Sequence, residues 1–505
     1  MSNKYPPFWL SAIIFAILVP LVLPFLYVGI RSYNAGLSWG IEYILRPRVY
    51  ELLSNTLILI FSVTSISILL GLASAFILER YNFAFKRFFQ VSMALPLCIP
   101  AFISCFTWIS LTFRVSGLFG SVMILSLAYF PLAYLPISAT LRRLDMSFYE
   151  VSLSLGRSRT RTFFMVILPQ LKSVIGASFL LIALHLLVEF GAVAILNFET
   201  FTTAIFQEYE LSFNNAQAAL LSSVLLFICI IVVLFELKIR GKDIISVAQK
   251  GVRREFPIKD LGPLAQIGAI LFFSIIFILS IGVPFGMLIY WIVIGSSFAL
   301  EFASFGEALF NSLGISFIGA IITICCALPL VWAVIYYRSR WLIFIERLPF
   351  LLHAIPGIVI ALSLIFFTIN FANPLYQTFA MVVAAYFMLY LPLAQTTLKS
   401  SLLQLNPNVA KIGSSLGKST FSNFWSLIVP IIMPGLAAAF AIVFLSLMKE
   451  LTATLILTPN DIHTLSTAVW EYTSDAQYAR AAPYAMMLVI FSGVPVYLLR
   501  KYAFT

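Results

Sequence analysis

Hydrophobic positions along this chain run in long unbroken blocks separated by short polar loops. Twelve blocks reach about 20 residues, the length that crosses a bilayer as a helix. They fall at roughly 8–30, 56–78, 90–112, 118–138, 174–197, 216–237, 264–294, 311–337, 345–369, 376–396, 433–457 and 479–499. The seventh is long and carries Pro284, which predicts a kink or a re-entrant stretch. The first, Phe8 to Ile30 behind Lys4, is too long for the apolar region of a cleavable signal peptide and reads as a span. The pattern predicts an all-α polytopic membrane protein of about twelve transmembrane helices.

Composition agrees. Apolar residues make up 61% of the 505 and charged residues 10%, with a mean hydropathy of +1.02; soluble domains hold about 45–50% and about 25%. No soluble core hides that much apolar surface, which excludes a soluble enzyme, a nucleic-acid binder and a secreted disulfide scaffold. The 31 Lys and Arg against 20 Asp and Glu leave a net charge of +11, and its distribution reads as topology. The 139–172 loop carries Arg142, Arg143, Arg157, Arg159, Arg161 and Lys172, and the 238–260 loop carries seven more basic residues. The loops near 198–215, 295–310, 370–375 and 458–478 carry none. Placing both termini in the cytoplasm puts most of the basic residues inside, as the positive-inside bias requires. The cysteines, Cys98, Cys105, Cys229, Cys325 and Cys326, sit inside apolar runs and read as core filler.

The chain also repeats itself. Glu150-Val-Ser-Leu-Ser-Leu-Gly156-Arg-Ser158 resembles Lys411-Ile-Gly-Ser-Ser-Leu-Gly417-Lys-Ser419, and each is followed by a proline, Pro169 and Pro430, at the same distance. Tyr134-Leu-Pro136 matches Tyr390-Leu-Pro392, and Thr200-Phe-Thr-Thr-Ala204 matches Thr464-Leu-Ser-Thr-Ala468. The reading is two tandem six-helix halves, 1–240 and 263–505, joined by a basic cytoplasmic linker, 241–262. An even number of spans per half makes the repeat parallel, about a pseudo-two-fold axis along the membrane normal, with a pathway between the halves.

The repeated loop encodes a short helix, a sharp glycine turn and a second helix. Ser147 and Glu150 have capping-box spacing, Gly156 supplies a left-handed stop, and Ser158 caps the next helix. In the second loop Asn406 caps, Pro407 follows at the first helical position, and Gly417 terminates. Phe148, Val151 and Leu155 share one helical face, as do Val409, Ile412 and Leu416. Such a stripe either packs on the protein's own helix ends or projects as a knob into a groove of a soluble partner. Its duplication favours a two-fold partner.

At these residues the chain resembles the permease subunits of binding-protein-dependent ABC importers. Their pattern is Glu-Ala-Ala, three residues, Gly, nine residues, Ile or Val, one residue, Leu-Pro. Glu150, Gly156, Val166, Leu168 and Pro169 fit that spacing, as do Gly417, Leu427, Val429 and Pro430. The first loop reads Glu-Val-Ser, and Lys411-Ile-Gly stands where the second Glu-Ala-Ala would be. The resemblance implies that Phe148, Glu150, Val151, Leu155, Gly156, Val409, Lys411, Ile412, Leu416 and Gly417 couple to two copies of a cytoplasmic ABC ATPase. ATP and Mg would bind those subunits; the chain has no Walker motif, no cofactor and no enzymatic role of its own. A periplasmic binding protein would deliver cargo across the bacterial inner membrane.

Two acids lie within spans, Glu189 and Glu450, 261 residues apart. Intramembrane carboxylates cost about 2.5–3.5 kcal/mol on insertion scales and usually face a cavity or a partner. They would line one cation pathway, unless Glu450 pairs with neighbours such as Lys449 or both sit at the interface. The segments that follow, with Thr202, Thr203, Thr464 and Thr467, resemble the outer loops of fused ferric-iron permeases, with a periplasmic ferric-iron-binding protein implied. Fused thiamine permeases share the layout. The alternative from another class, a twelve-helix secondary carrier, lacks its repeated Asp-Arg-x-Gly-Arg element here; Glu79-Arg80 is a poor stand-in. His185, His353 and His463 are scattered, so no resident metal is expected and iron would meet only weak oxygen contacts.

Overall fold

The computed structural model describes residues 6–34, 36–142, 144, 147–243, 259–295, 302–337, 339–352, 355–403, 422, 424–460 and 462–503. The first half runs α1 (Phe8–Asn34), α2 (Leu37–Ile44), α3 (Pro47–Arg80), α4 (Lys86–Ser92), α5 (Ala101–Leu111), α6 (Gly117–Tyr129), α7 (Pro131–Leu141), α8 (Ser147–Ser154), α9 (Arg159–Thr162), α10 (Leu168–Val188), α11 (Gly191–Ile195), α12 (Phe201–Phe206) and α13 (Asn215–Asp243). The second runs α14 (Pro263–Phe277), α15 (Val283–Ile294), α16 (Phe302–Tyr337), α17 (Arg340–Leu352), α18 (Gly357–Phe371), α19 (Phe379–Leu403), α20 (Val429–Met448), α21 (Thr452–Leu457), α22 (Leu465–Ser474) and α23 (Tyr478–Ala503). The described strands are β1 (Tyr81–Asn82) and β2 (Lys259–Asp260), one parallel pair that ties the end of α3 to the linker.

Nine helices among the described residues are long and apolar enough to cross a membrane, ten if α4 and α5 count as one span broken by 94°. Two of the three apolar blocks outside the nine are interrupted at prolines, and the third, 479–499, falls within the single helix α23. The 90–112 block bends at Pro96 and Pro100, and the 345–369 block divides into α17 and α18 before Pro356. Hydropathy alone cannot distinguish such a broken pair from a straight span. Pro284, by contrast, produces no re-entrant stretch. The helix runs unbroken from Pro263 to Ile294, and a π-helical turn over Ile278–Gly282, just before the proline, widens the backbone where the ring would otherwise clash with the preceding turn.

The duplication is visible in detail. A π-helical turn over Phe163–Ile167 precedes Pro169, and another over Phe424–Ile428 precedes Pro430. The first helix of each half crosses over: α1 packs on α18, and α15 packs on α5. A hydrophobic cluster accordingly mixes Ile99, Phe102 and Phe106 of the first half with Leu288, Leu451, Ala468 and Leu488 of the second. Cys98, Cys105 and Cys229 are buried in core positions, whereas Cys325 is exposed on the surface of α16.

Candidate functional site

Each half interrupts a long helix at a glutamate. α10 stops at Val188, and the carboxylate of Glu189 turns forward to accept the Ala192 N–H at 3.1 Å. α20 stops at Met448, and Glu450 accepts the N–H groups of Ala453 (2.9 Å) and Thr454 (2.8 Å) and the Thr454 hydroxyl (2.6 Å). These N–H groups lie at the open starts of α11 and α21, where a helix has no internal acceptor for them and favours a negative charge. The chain then doubles back. The Thr202 hydroxyl donates to the Glu189 carbonyl (2.7 Å), and the Ser466 hydroxyl donates to the Glu450 carbonyl (2.9 Å). Capping boxes start α12 (Thr200 with Thr203) and α22 (Thr464 with Thr467). Of the threonines singled out from sequence, Thr203, Thr464 and Thr467 are thus buried members of helix caps, and Thr202 is a buried tie to the Glu189 carbonyl.

Glu189 and Glu450 line one cavity of about 340 Å³ between the halves, together with Tyr129, Tyr390, His185 and Lys449. The Tyr129 hydroxyl donates to Glu189 Oε2 at 2.5 Å. Lys449 does not bond Glu450 among the described residues; its ammonium donates to the Leu97 carbonyl at 3.1 Å, at the bend between α4 and α5. The second half thereby grips the broken segment of the first. Gly191 permits the same approach from the other side: a Cβ there would stand 2.7 Å from the Leu451 side chain. His185 lines the cavity with Nδ1 2.8 Å from the Leu181 carbonyl, His463 lies 3.2 Å from Glu471, and His353 is outside the described residues. Among the described residues no three His, Cys, Asp or Glu side chains group as metal ligands.

A second cavity, of about 610 Å³, opens beyond the first and is lined by Phe198, Glu199, Thr203, Gln207, Trp470 and Tyr478. Phe190 borders both cavities. Its ring lies 4.8 Å from Phe206 and 5.1 Å from Trp470, and the last two are 6.4 Å apart. Phe190 therefore stands between the chambers, with one ring from each half packed on it from the second chamber. Sequence reading missed them, although Phe206 and Trp470 occupy matching places two residues beyond the aligned Thr200–Ala204 and Thr464–Ala468 segments. At the rim Arg48 reaches Glu199 at 2.6 Å and holds that carboxyl below its usual range.

At the opposite end of the bundle α8 carries Phe148, Val151 and Leu155 on its outer face, 64%, 57% and 73% exposed. Its other face is anchored. Tyr149 is buried, and the Arg80 guanidinium lies over its ring and bonds its hydroxyl. Ser152 meets Thr162 at 3.0 Å. Gly156 ends the helix at φ +77°, with its N–H on the Leu153 carbonyl and the Arg157 N–H on the Ser152 carbonyl. That pair of bonds is a Schellman stop. Ser158 caps α9 by accepting the Arg161 N–H at 3.3 Å. Glu150 lies in the first turn of α8. Val409, Lys411, Ile412, Leu416 and Gly417, the second loop, lie outside the described residues. Glu79 holds Arg142 at 2.8 Å and 2.9 Å and accepts the Ser138 hydroxyl.

A duplicated helical membrane protein with a polar cavity between its halves and an anchored apolar knob at one end is built as a permease. Residues 67–238 and 326–502 match the model of the binding-protein-dependent transport system inner membrane component, and the chain belongs to that family of bacterial inner-membrane permeases. It is 60% identical over 503 residues, 99% of each chain, to the Fe(3+)-transport system permease protein FbpB 2 of Haemophilus influenzae. It is 22% identical to the ferric transport system permease protein FbpB of Actinobacillus pleuropneumoniae, over 95% of this chain and 76% of that one. A 28% match to the sulfate transport system permease protein CysT of Escherichia coli covers 32% of this chain and 64% of that one.

Proposed function

We propose that this chain moves ferric iron inward as the fused permease of an ATP-driven importer. The observation that carries the reading is the cavity between the halves, with one helix-capping glutamate from each. The full-length likeness to a relative named for Fe(3+) transport supplies the cargo. Fe³⁺ is a hard cation that suits oxygen donors, and the cavity offers two carboxylates and two tyrosine hydroxyls. Because those carboxylates already cap helices, their contact with a passing ion is shared and weak, which suits release. The three-ring barrier acts as an outer gate, closed in this conformation. Thr203, on the outer chamber, would meet cargo before the gate; Thr202, Thr464 and Thr467 would serve by holding the hairpins that carry it.

Both termini and α8 face the cytoplasm in this reading. The exposed stripe of α8 and its counterpart at 409–417 dock into two copies of an ABC ATPase, whose ATP-driven closure separates the gate helices. A periplasmic ferric-iron-binding protein docks over the outer chamber. The test is uptake of radiolabelled ferric iron by cells lacking this chain. Wild type should restore uptake; the double variant Gly156→Val, Gly417→Val should lower it at least about tenfold with the protein still in the membrane, because β-branched residues resist positive φ. Failure of wild type to restore uptake would overturn the cargo, and full uptake by the double variant would overturn the coupling role.

A further inference from the structure

Beside the coupling helix, on the outside of the bundle, lies a cavity of about 390 Å³ that the transport reading does not use. One wall is a stripe of α3: Leu69, Leu72, Ala73, Phe76 and Arg80. At 1.5 Å per residue the stripe runs about 16 Å along the helix axis. Leu69, at its far end, is 65% exposed on the flank of a spanning helix, so the trough opens sideways toward lipid. The Phe163 ring packs edge-on against Phe76 at 4.8 Å, so the two rings form one continuous apolar surface of the trough.

The near end of the trough is basic. Arg159 and Arg80 line it, and Lys259 is brought alongside by the pairing of β2 with Tyr81, itself a lining residue. The positive charge of Arg159, then desolvation, then Arg80 hold the Lys259 ammonium below its usual range. Among the described residues neither Arg159 nor Lys259 has an ion pair. The nearby acids are engaged elsewhere, Asp260 with the Asn82 amide and Glu79 with Arg142 and Ser138. An apolar trough in the bilayer with converging cations at its polar end complements one amphiphile: an acyl chain carrying an anionic head group.

We propose that this trough binds an anionic phospholipid, its acyl chain along α3 and its phosphate between Arg159 and Lys259. The bound lipid braces the platform under α8, because Arg80 and Tyr149, which anchor that helix, border the same cavity.

Native mass spectrometry of the purified full-length protein tests this, with phosphatidylglycerol or phosphatidylcholine of identical chains as probes. Wild type should retain one phosphatidylglycerol in clear preference to phosphatidylcholine. Each of Arg159→Gln and Lys259→Gln should lower that preference about fivefold, the effect of one basic residue at an anionic membrane surface. Arg159→Lys should keep most of it, and Leu72→Trp, which fills the trough while sparing the charges, should abolish retention. Equal retention of the two lipids by wild type would overturn the proposal, as would undiminished preference in the double glutamine variant. Full competition by millimolar inorganic phosphate would also overturn it, since a site for the head group alone would remain. Loss of ATPase co-purification from the double variant with lipid retention intact would assign the basic end to a protein interface and overturn it as well.

Discussion

Glu450 accepts three hydrogen bonds at the head of α21, and Glu189 accepts one N–H and the Tyr129 hydroxyl at the head of α11. Removing a buried acceptor leaves its donors unpaired, at about 1–3 kcal/mol each. The Thr454 hydroxyl keeps the Glu450 carbonyl as a partner, so Glu450→Ala leaves two N–H groups unpaired and should destabilise the protein by about 2–6 kcal/mol, read as a lowered unfolding midpoint in detergent, and Glu450→Gln, which keeps one acceptor oxygen, by less. Equal midpoints for Glu450→Ala and wild type would remove the capping role. The Arg48–Glu199 pair predicts a pH effect of definite sign. Its carboxyl is depressed in the folded protein by the Arg48 hydrogen bond first, so the stabilisation is complete above the unfolded carboxyl range and disappears as pH falls through the folded value. The pair is partly exposed, so its contribution is only ~0.2–1 kcal/mol. Arg48→Gln should shift the unfolding midpoint slightly at pH 7, and the shift should shrink as pH falls below the ordinary carboxyl range; a shift that does not shrink would assign it to packing.

At the scale of elements, the three-ring barrier joins the α10–α11 turn, α12 and α22, and none of these closes it alone. Phe190 and Trp470 contribute rings from opposite halves. Replacing both by alanine should open a continuous path from the outer chamber to the glutamate cavity. A cysteine introduced at Ser446, on the cavity wall, should then be labelled by an impermeant thiol reagent from outside, at least about tenfold faster than in the same cysteine variant with the rings intact. An unchanged rate would mean the barrier lies elsewhere. The short helices were the hardest elements to read from sequence. α11 and α21 have five and six residues, and each start is capped by the glutamate in the turn just before it. Local pattern shows a continuous apolar run there; only the glutamate inside it marks the break.

Over the whole molecule, the crossing of α1 onto α18 and of α15 onto α5 makes each half incomplete without the other. Residues 1–243 expressed alone should be degraded or aggregate, and co-expression with residues 259–505 as a second chain should restore a complex that co-purifies and transports. Stable, monodisperse protein from either half alone would show that the crossed helices contribute little to folding.

The sequence by itself determined what depends on composition and spacing. The lipid solvent, the duplication, the α8–Gly156 knob and the paired glutamates follow from hydropathy, matching offsets and capping chemistry, all of which act within a few residues or across a repeat. The tertiary structure alone decided what depends on how distant segments meet. It buried the threonines that follow the two glutamates as helix caps and hairpin ties, sent Lys449 to the Leu97 carbonyl instead of Glu450, and broke two apolar blocks that read as straight spans. It also brought Phe190, Phe206 and Trp470 into one barrier. The physical reason is the same in each case: inside a bilayer every backbone and polar group needs a protein partner, and which partner is within reach is a property of packing between the halves.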